Sequence, residues 1–141
     1  MRLLFVCREN IARSQIAEAL FPDPVHEVMS AGINPRVNNG KTLSEIGAFN
    51  VIECMSQLGY HLNKKRVKEL TPDMVRRADK IIVMVDPMSW PEYLRVREKT
   101  EHWPIPDPKG APLWKYEQTR DSIKHLIYDD KSGLARRLAV R

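Results

Sequence analysis

Cys7 and Arg13 stand six positions apart in the stretch Cys7-Arg8-Glu9-Asn10-Ile11-Ala12-Arg13-Ser14, and residues of those two types at that spacing could carry out phosphoryl transfer. A loop of this length can curl until the thiol lies at its centre, with backbone N–H groups and a guanidinium pointing inward. That arrangement is a cup for a tetrahedral oxyanion. The positive field of unpaired amides at a helix start favours an anion there, and favours the thiolate, the nucleophilic form of cysteine. Arg13 would add a planar two-pronged donor for the equatorial oxygens of a phosphoryl group. Ser14 could donate its hydroxyl to the sulfur or cap the helix, and Asn10 could tie the loop to nearby backbone or tolerate a left-handed turn.

The elements that must hold such a cup flank it in the chain. Leu3, Leu4, Phe5 and Val6 form an apolar run that reads as a buried strand, and Gln15-Ile16-Ala17-Glu18-Ala19-Leu20 reads as a helix. Without that context the same residues would read as a small buried hydrophobe and a solvated helical arginine. Strand before and helix after make the cup the better reading.

The stretch from Phe5-Val6-Cys7 through Asn10, Arg13-Ser14 and Ala17-Glu18-Ala19 resembles the low-molecular-weight protein tyrosine phosphatases and the arsenate reductases that share their fold. Ser30-Ala31-Gly32, Ala78-Asp79 and Asp107-Pro108 extend the resemblance over essentially the whole chain. It implies a phosphomonoester hydrolase, phosphotyrosine included, that works through a phosphocysteine intermediate and without a cofactor or metal. Cys7, Arg13 and Asp107 would be catalytic, and Arg8, Glu9, Asn10, Ile11, Ala12 and Ser14 would form the substrate-binding loop. Its partners would be a phosphorylated protein or a small phosphomonoester, with phosphate- or arsenate-like oxyanions as ligands.

The general acid has rivals within the chain. Asp-Pro pairs occur at Asp23-Pro24, Asp86-Pro87 and Asp107-Pro108, and such pairs often do no more than make turns. Asp107 is favoured because it follows the last strand and because the family's acid sits in an Asp-Pro loop; Asp86 is the fallback. The chain also departs from the family pattern. Glu9 replaces the usual glycine before the asparagine, Arg8 follows the cysteine, and Lys109-Gly110 replaces the two tyrosines that usually follow Asp-Pro. The resemblance therefore leaves the leaving group open, with Trp114 or Tyr116 as substitute walls.

Arsenate reductases supply an alternative activity. Their thioredoxin-coupled members carry two further cysteines in and after the third strand, where this chain has Val85 and Trp90. Reduction would therefore need an external thiol. Cys54, the only other cysteine, sits at core spacing in a helical stretch. The other reading without turnover is a non-catalytic oxyanion-binding module built on the same cup. His26, His61, His102 and His125 show no metal-ligand spacing.

With 141 residues, 43% hydrophobic and 29% charged, the sequence fits one domain spanning 1–141. The net charge of +5 is spread over clusters such as Lys64-Lys65-Arg66 and Arg136-Arg137 that are interleaved with acids, so no nucleic-acid partner is expected. No apolar run is long enough for a membrane span and no apolar signal segment precedes Cys7, which together suggest a cytoplasmic protein.

The remaining pattern alternates. Strands are expected near 2–6, 26–30, 81–85 and 101–104, with helices near 12–21, 48–58, 72–77 and 91–99 and a last helix carrying Ile123 through Leu138 that Gly133 could break late. Residues 33–43, rich in Asn, Gly and Pro, read as a long loop. Such alternation specifies an α/β fold, a single three-layer domain with helices on both faces of a parallel sheet. The resemblance puts the strand count at four.

Overall fold

The computed structural model describes residues 1–22, 25–129 and 133–139. Four parallel strands form one sheet: β1 (Arg2–Cys7), β2 (Glu27–Gly32), β3 (Lys80–Val83) and β4 (Thr100–His102), in the order β2-β1-β3-β4. The apolar run of β1 becomes a strand because both of its faces are covered. Alternation along the strand sends Leu3 and Phe5 to one face, among Ile16, Leu20, Ile123 and Leu134, and sends Leu4 and Val6 to the other, among Leu70, Val75 and Leu94. The same period divides β3 and its extension, with Ile82 and Met84 on the first face and Ile81, Val83 and Val85 on the second.

Among the described residues five helices cover the sheet: α1 (Arg13–Leu20), α2 (Phe49–Ser56), α3 (Pro72–Arg77), α4 (Leu113–Tyr128) and α5 (Leu134–Ala139). Thr71 caps α3 through its side chain, which accepts from the Met74 amide, and Pro72 sits in the first turn as its lack of an N–H favours. The stretch 33–43 holds one short helical turn, Arg36–Asn38, and is otherwise loop.

One expectation is refined and one is corrected. The last helix, which Gly133 could break, is two helices: α4 ends at Tyr128 and α5 begins at Leu134. A side chain at position 133 would meet the Asp129 amide at 2.5 Å and the Ile127 carbonyl at 2.6 Å, so glycine lets α5 start hard against the end of α4. The helix expected near 91–99 is replaced by a single turn, Glu92–Leu94, which ends where Arg95 leaves the helical region at φ −84° and ψ 58°; another single turn, Pro87–Ser89, precedes it. Asp23 and Pro24, read as helix terminators, lie outside the described residues; α1 ends at Leu20 before Pro22.

Parallel strands place all their carboxyl ends on one edge. β1 is bonded to β2 on one side and to β3 on the other, so the chain leaves it in one direction and later returns on the opposite side. The crevice at that reversal is where ligands bind in open α/β sheets, and the turn after Cys7 lies there. Among the described residues no helix is long and apolar enough to cross a membrane.

Candidate active site

β1 delivers Cys7 to the sheet edge and α1 begins at Arg13, so the residues between them must reverse direction within a few positions. Asn10 makes the turn, at φ 61°. Asparagine enters the left-handed region more readily than other non-glycine residues, and here its buried side chain repays the strain. Glu9 has no positive φ, so the glycine missing from position 9 costs no backbone freedom; the demand falls on Asn10. Glycine is needed instead at position 32, where a Cβ would lie 2.6 Å from the Asn10 nitrogen.

The Asn10 side chain uses its full bonding capacity. Its amide nitrogen donates to Ser14 Oγ at 2.7 Å and Ser30 Oγ at 3.0 Å, and its oxygen accepts from the Lys68 amide at 2.9 Å and Gln15 Nε2 at 3.1 Å. Ser30 in turn donates to Glu18 at 2.5 Å, and Lys65 lies 3.7 Å from the other oxygen of that carboxylate. Burial holds the Lys68 ammonium below its ordinary range, with Glu18 opposing the shift. These bonds hold the loop from behind, in a region with little water to replace any one of them.

Cys7 sits at the centre of this frame. Its sulfur accepts from the Asn10 amide at 3.3 Å and lies 3.0 Å from Ser14 Oγ. Ser14 already accepts from Asn10, which leaves its own proton for the sulfur. No side chain caps α1, so its first turn presents amides toward the cup.

Arg13 is almost entirely buried. Nη1 donates to the carbonyls of Met84 and, at 2.9 Å, Ile105, at the ends of the two strands beyond β1. Those bonds orient the guanidinium plane, while Nη2 lies 3.4 Å from Asp107 Oδ2. The Asp107 carboxylate also accepts from the Lys109 amide at 3.0 Å.

These groups share one cavity of about 70 Å³. Cys7, Arg13 and Asp107 line it together with Ile11, Ala12 and Tyr116, and Glu9 and Lys109 complete the lining. The volume corresponds to roughly two waters' share of the liquid, the scale of a phosphoryl group. The Tyr116 hydroxyl is held above the ordinary phenol range by burial and by the charges of Asp107, Cys54 and Glu9, so the ring presents as a neutral wall.

Eight of the nine expected site residues lie in or against the cup. Cys7, Arg13, Asp107, Glu9, Ile11 and Ala12 line the cavity, and Asn10 holds the loop behind it. Ser14 supports the sulfur from α1. Arg8 alone turns away: its Nη2 lies 3.5 Å from Ser89 Oγ, and its side chain takes no part in the cavity lining. Asp86, the fallback acid, spends its carboxylate on the Met88 amide at 2.9 Å. Of the two aromatic candidates Tyr116 is the wall, and Trp114 lies exposed beside Lys115. Ser30, Gln15, Glu18 and Lys109 had no assigned part in the sequence reading, because their partners are distant along the chain. Among the described residues no cluster of His, Cys, Asp and Glu could hold a metal.

Known proteins agree with this geometry. The family described as low molecular weight phosphotyrosine protein phosphatase matches residues 2–137. Arsenate reductase of Staphylococcus aureus is 27% identical over 135 residues, covering 92% of this chain and 95% of the relative. YwlE arginine phosphatase from Geobacillus stearothermophilus superposes with a TM-score of 0.78 at 27% identity, covering 99% of this chain and 93% of that one. A mutant YwlE arginine phosphatase with a phosphorylated active-site serine superposes at 0.79 with 26% identity, covering 99% and 96%. With the cup, the sheet and the family match in agreement, the chain belongs to the low-molecular-weight phosphotyrosine protein phosphatase family and is a cysteine-dependent phosphatase.

Proposed function

We propose that Cys7 is the nucleophile, Arg13 and the loop amides the phosphoryl clamp, and Asp107 the general acid and base, in hydrolysis of an aryl phosphomonoester such as phosphotyrosine. The observation that carries this reading is the meeting of sulfur, guanidinium, carboxyl and an uncapped helix start around one cavity the size of a phosphoryl group. The Cys7 thiolate attacks phosphorus in line and the P–O bond to the leaving group breaks. Asp107, protonated at this step, transfers its proton to the departing phenoxide. Its carboxylate then takes a proton from water, which attacks the phosphocysteine and releases phosphate and the thiolate. Arg13, held in plane by two carbonyls, and the amides of residues 8–14 stabilise the charge on the equatorial oxygens in both steps.

Ile11, Ala12 and Tyr116 favour an aryl leaving group, because each offers apolar surface beside the phosphoryl site. The arginine phosphatases among similar structures make phosphoarginine the competing substrate. Assays on a phosphotyrosine peptide and a phosphoarginine peptide test this directly; a higher kcat/KM on phosphoarginine would reverse the assignment.

Arsenate reduction is the second reading, favoured by the S. aureus relative. Its electron balance requires a thiol besides Cys7. Cys54 is buried, and burial pushes its thiol up to about 11 against the pull of Arg120, so it is a poor relay partner at neutral pH. A reductase would depend on an external thiol, and arsenate assays with and without glutathione decide it.

A further inference from the structure

Two places where the sequence departs from the family pattern, Glu9 in the nucleophile loop and Lys109 after the acid, meet in space. Glu9 Oε1 and Lys109 Nζ are 2.9 Å apart although 100 residues separate them. The Glu9 side chain is only 12% exposed and lines the cavity beside Cys7 and Arg13, whereas that of Lys109 is 68% exposed. Lys109 is joined to the acid as well, since its backbone N–H donates to Asp107 Oδ1.

We propose that the Glu9–Lys109 pair is a positioning strap that ties the acid loop to the nucleophile loop and neutralises a carboxylate standing beside the phosphate cup. Two physical consequences follow, and the inference rests on the catalytic roles assigned above. A carboxylate lining an anion site repels a phosphate dianion unless a cation offsets it, and Glu9 has too little contact with water for solvent to do so fully. Lys109 supplies the offset. The second consequence concerns reach. Asp107 is exposed, and its loop after Ile105 touches the cup through Arg13 and through this strap. Since the same residue both caps the carboxylate and grips Glu9, tension on Lys109 is tension on Asp107.

Charge compensation acts on binding and loop positioning acts on leaving-group departure, so the two readouts separate. Calorimetric binding of inorganic phosphate and steady-state kinetics on phenyl phosphate and p-nitrophenyl phosphate are measured for wild type, Glu9→Gln, Lys109→Met, Lys109→Arg and the Glu9→Gln/Lys109→Met double variant. Lys109→Met should weaken phosphate binding about fivefold, and the double variant should return to within twofold of wild type, because the repelling charge has gone. On phenyl phosphate, a poor leaving group, each of Glu9→Gln and Lys109→Met should lower kcat roughly three- to tenfold, the double variant no further, and Lys109→Arg should keep most of the rate. On p-nitrophenyl phosphate, which departs with less help from an acid, kcat should change less than twofold. The proposal is overturned if Lys109→Met weakens phosphate binding equally with Glu or Gln at position 9, if the two kcat losses multiply, or if both leaving groups suffer alike. A wild type that turns over no aryl phosphate defeats the catalytic assignment, while the phosphate-binding cycle still decides whether the pair offsets the Glu9 charge.

Discussion

The two halves of the proposed catalytic apparatus are built by opposite means. Cys7, Asn10, Ser14 and Ser30 are all buried, and each polar atom of the Asn10 side chain has two partners. Asp107 lies on an exposed segment held by a backbone cap, by Arg13 and, through Lys109, by one ion pair. A nucleophile and its anion cup must keep their geometry through both chemical steps, and a buried hydrogen-bond network cannot rearrange cheaply. An acid that serves two different oxygens in turn gains from a mount that gives a little. The contrast teaches that damage to the cup should unfold or silence the protein, whereas damage to the acid loop should slow it while leaving it folded.

Cys7→Ser should produce the largest effect, a loss of at least roughly 10⁴ in kcat, with phosphate binding retained because the amides and Arg13 are untouched. Turnover assays beside phosphate calorimetry check it. Asp107→Asn should lower kcat on phenyl phosphate about 10²- to 10³-fold and leave the thermal unfolding midpoint unchanged within about 1 °C. A drop in stability of the kind expected for cup residues would erase the proposed contrast. Asn10→Ala, which strands several buried partners and puts alanine at positive φ, should cost about 2–4 kcal/mol of stability together with at least about tenfold in kcat. Thermal and urea unfolding measure the first and steady-state assays the second.

A smaller effect concerns the strand leading to the acid loop. Burial pushes the Glu101 carboxyl up, but hydrogen bonds from Arg137, Trp103 and Lys80 outweigh it and hold the group at about 2, below its ordinary 4.5. A carboxyl lowered on folding adds stability that is complete above pH 4.5 and is lost as pH falls from there towards 2. Glu101→Gln should therefore be less stable than wild type by about 2 kcal/mol at neutral pH, with the difference vanishing near pH 2. Urea unfolding at pH 7, 4 and 2.5 checks it. Loss of this anchor should also lower kcat more than it weakens phosphate binding, which would sharpen the distinction between the two mounts.

Much of the cup was legible before any coordinates because its residues are contiguous. Cys7 to Ser14 belong to one strand, turn and helix start, and local geometry over so few residues leaves little freedom about what faces inward. The parallel sheet was legible for a related reason, since the apolar runs at Leu3–Val6 and Ile81–Val85 make sense only when covered on both faces. Where the helical reading departed from the structure, the cause was backbone conformation at a helix end. The helical run near 91–99 stops after Glu92–Leu94 because Arg95 leaves the helical region, and α5 starts at Leu134 where Gly133 leaves room beside Asp129 and Ile127.

By itself the sequence determined the chemistry on offer: a thiol, a guanidinium and a strand-to-helix turn that must bring them together, because residue type and short-range geometry are properties of the local chain. Only the tertiary structure set Asp107 and Tyr116 on the cavity wall, left Trp114 outside it, and joined Glu9 to Lys109. Those choices depend on which distant segments the packed sheet and helices bring to one edge, and side-chain spacing along the chain carries no measure of that distance.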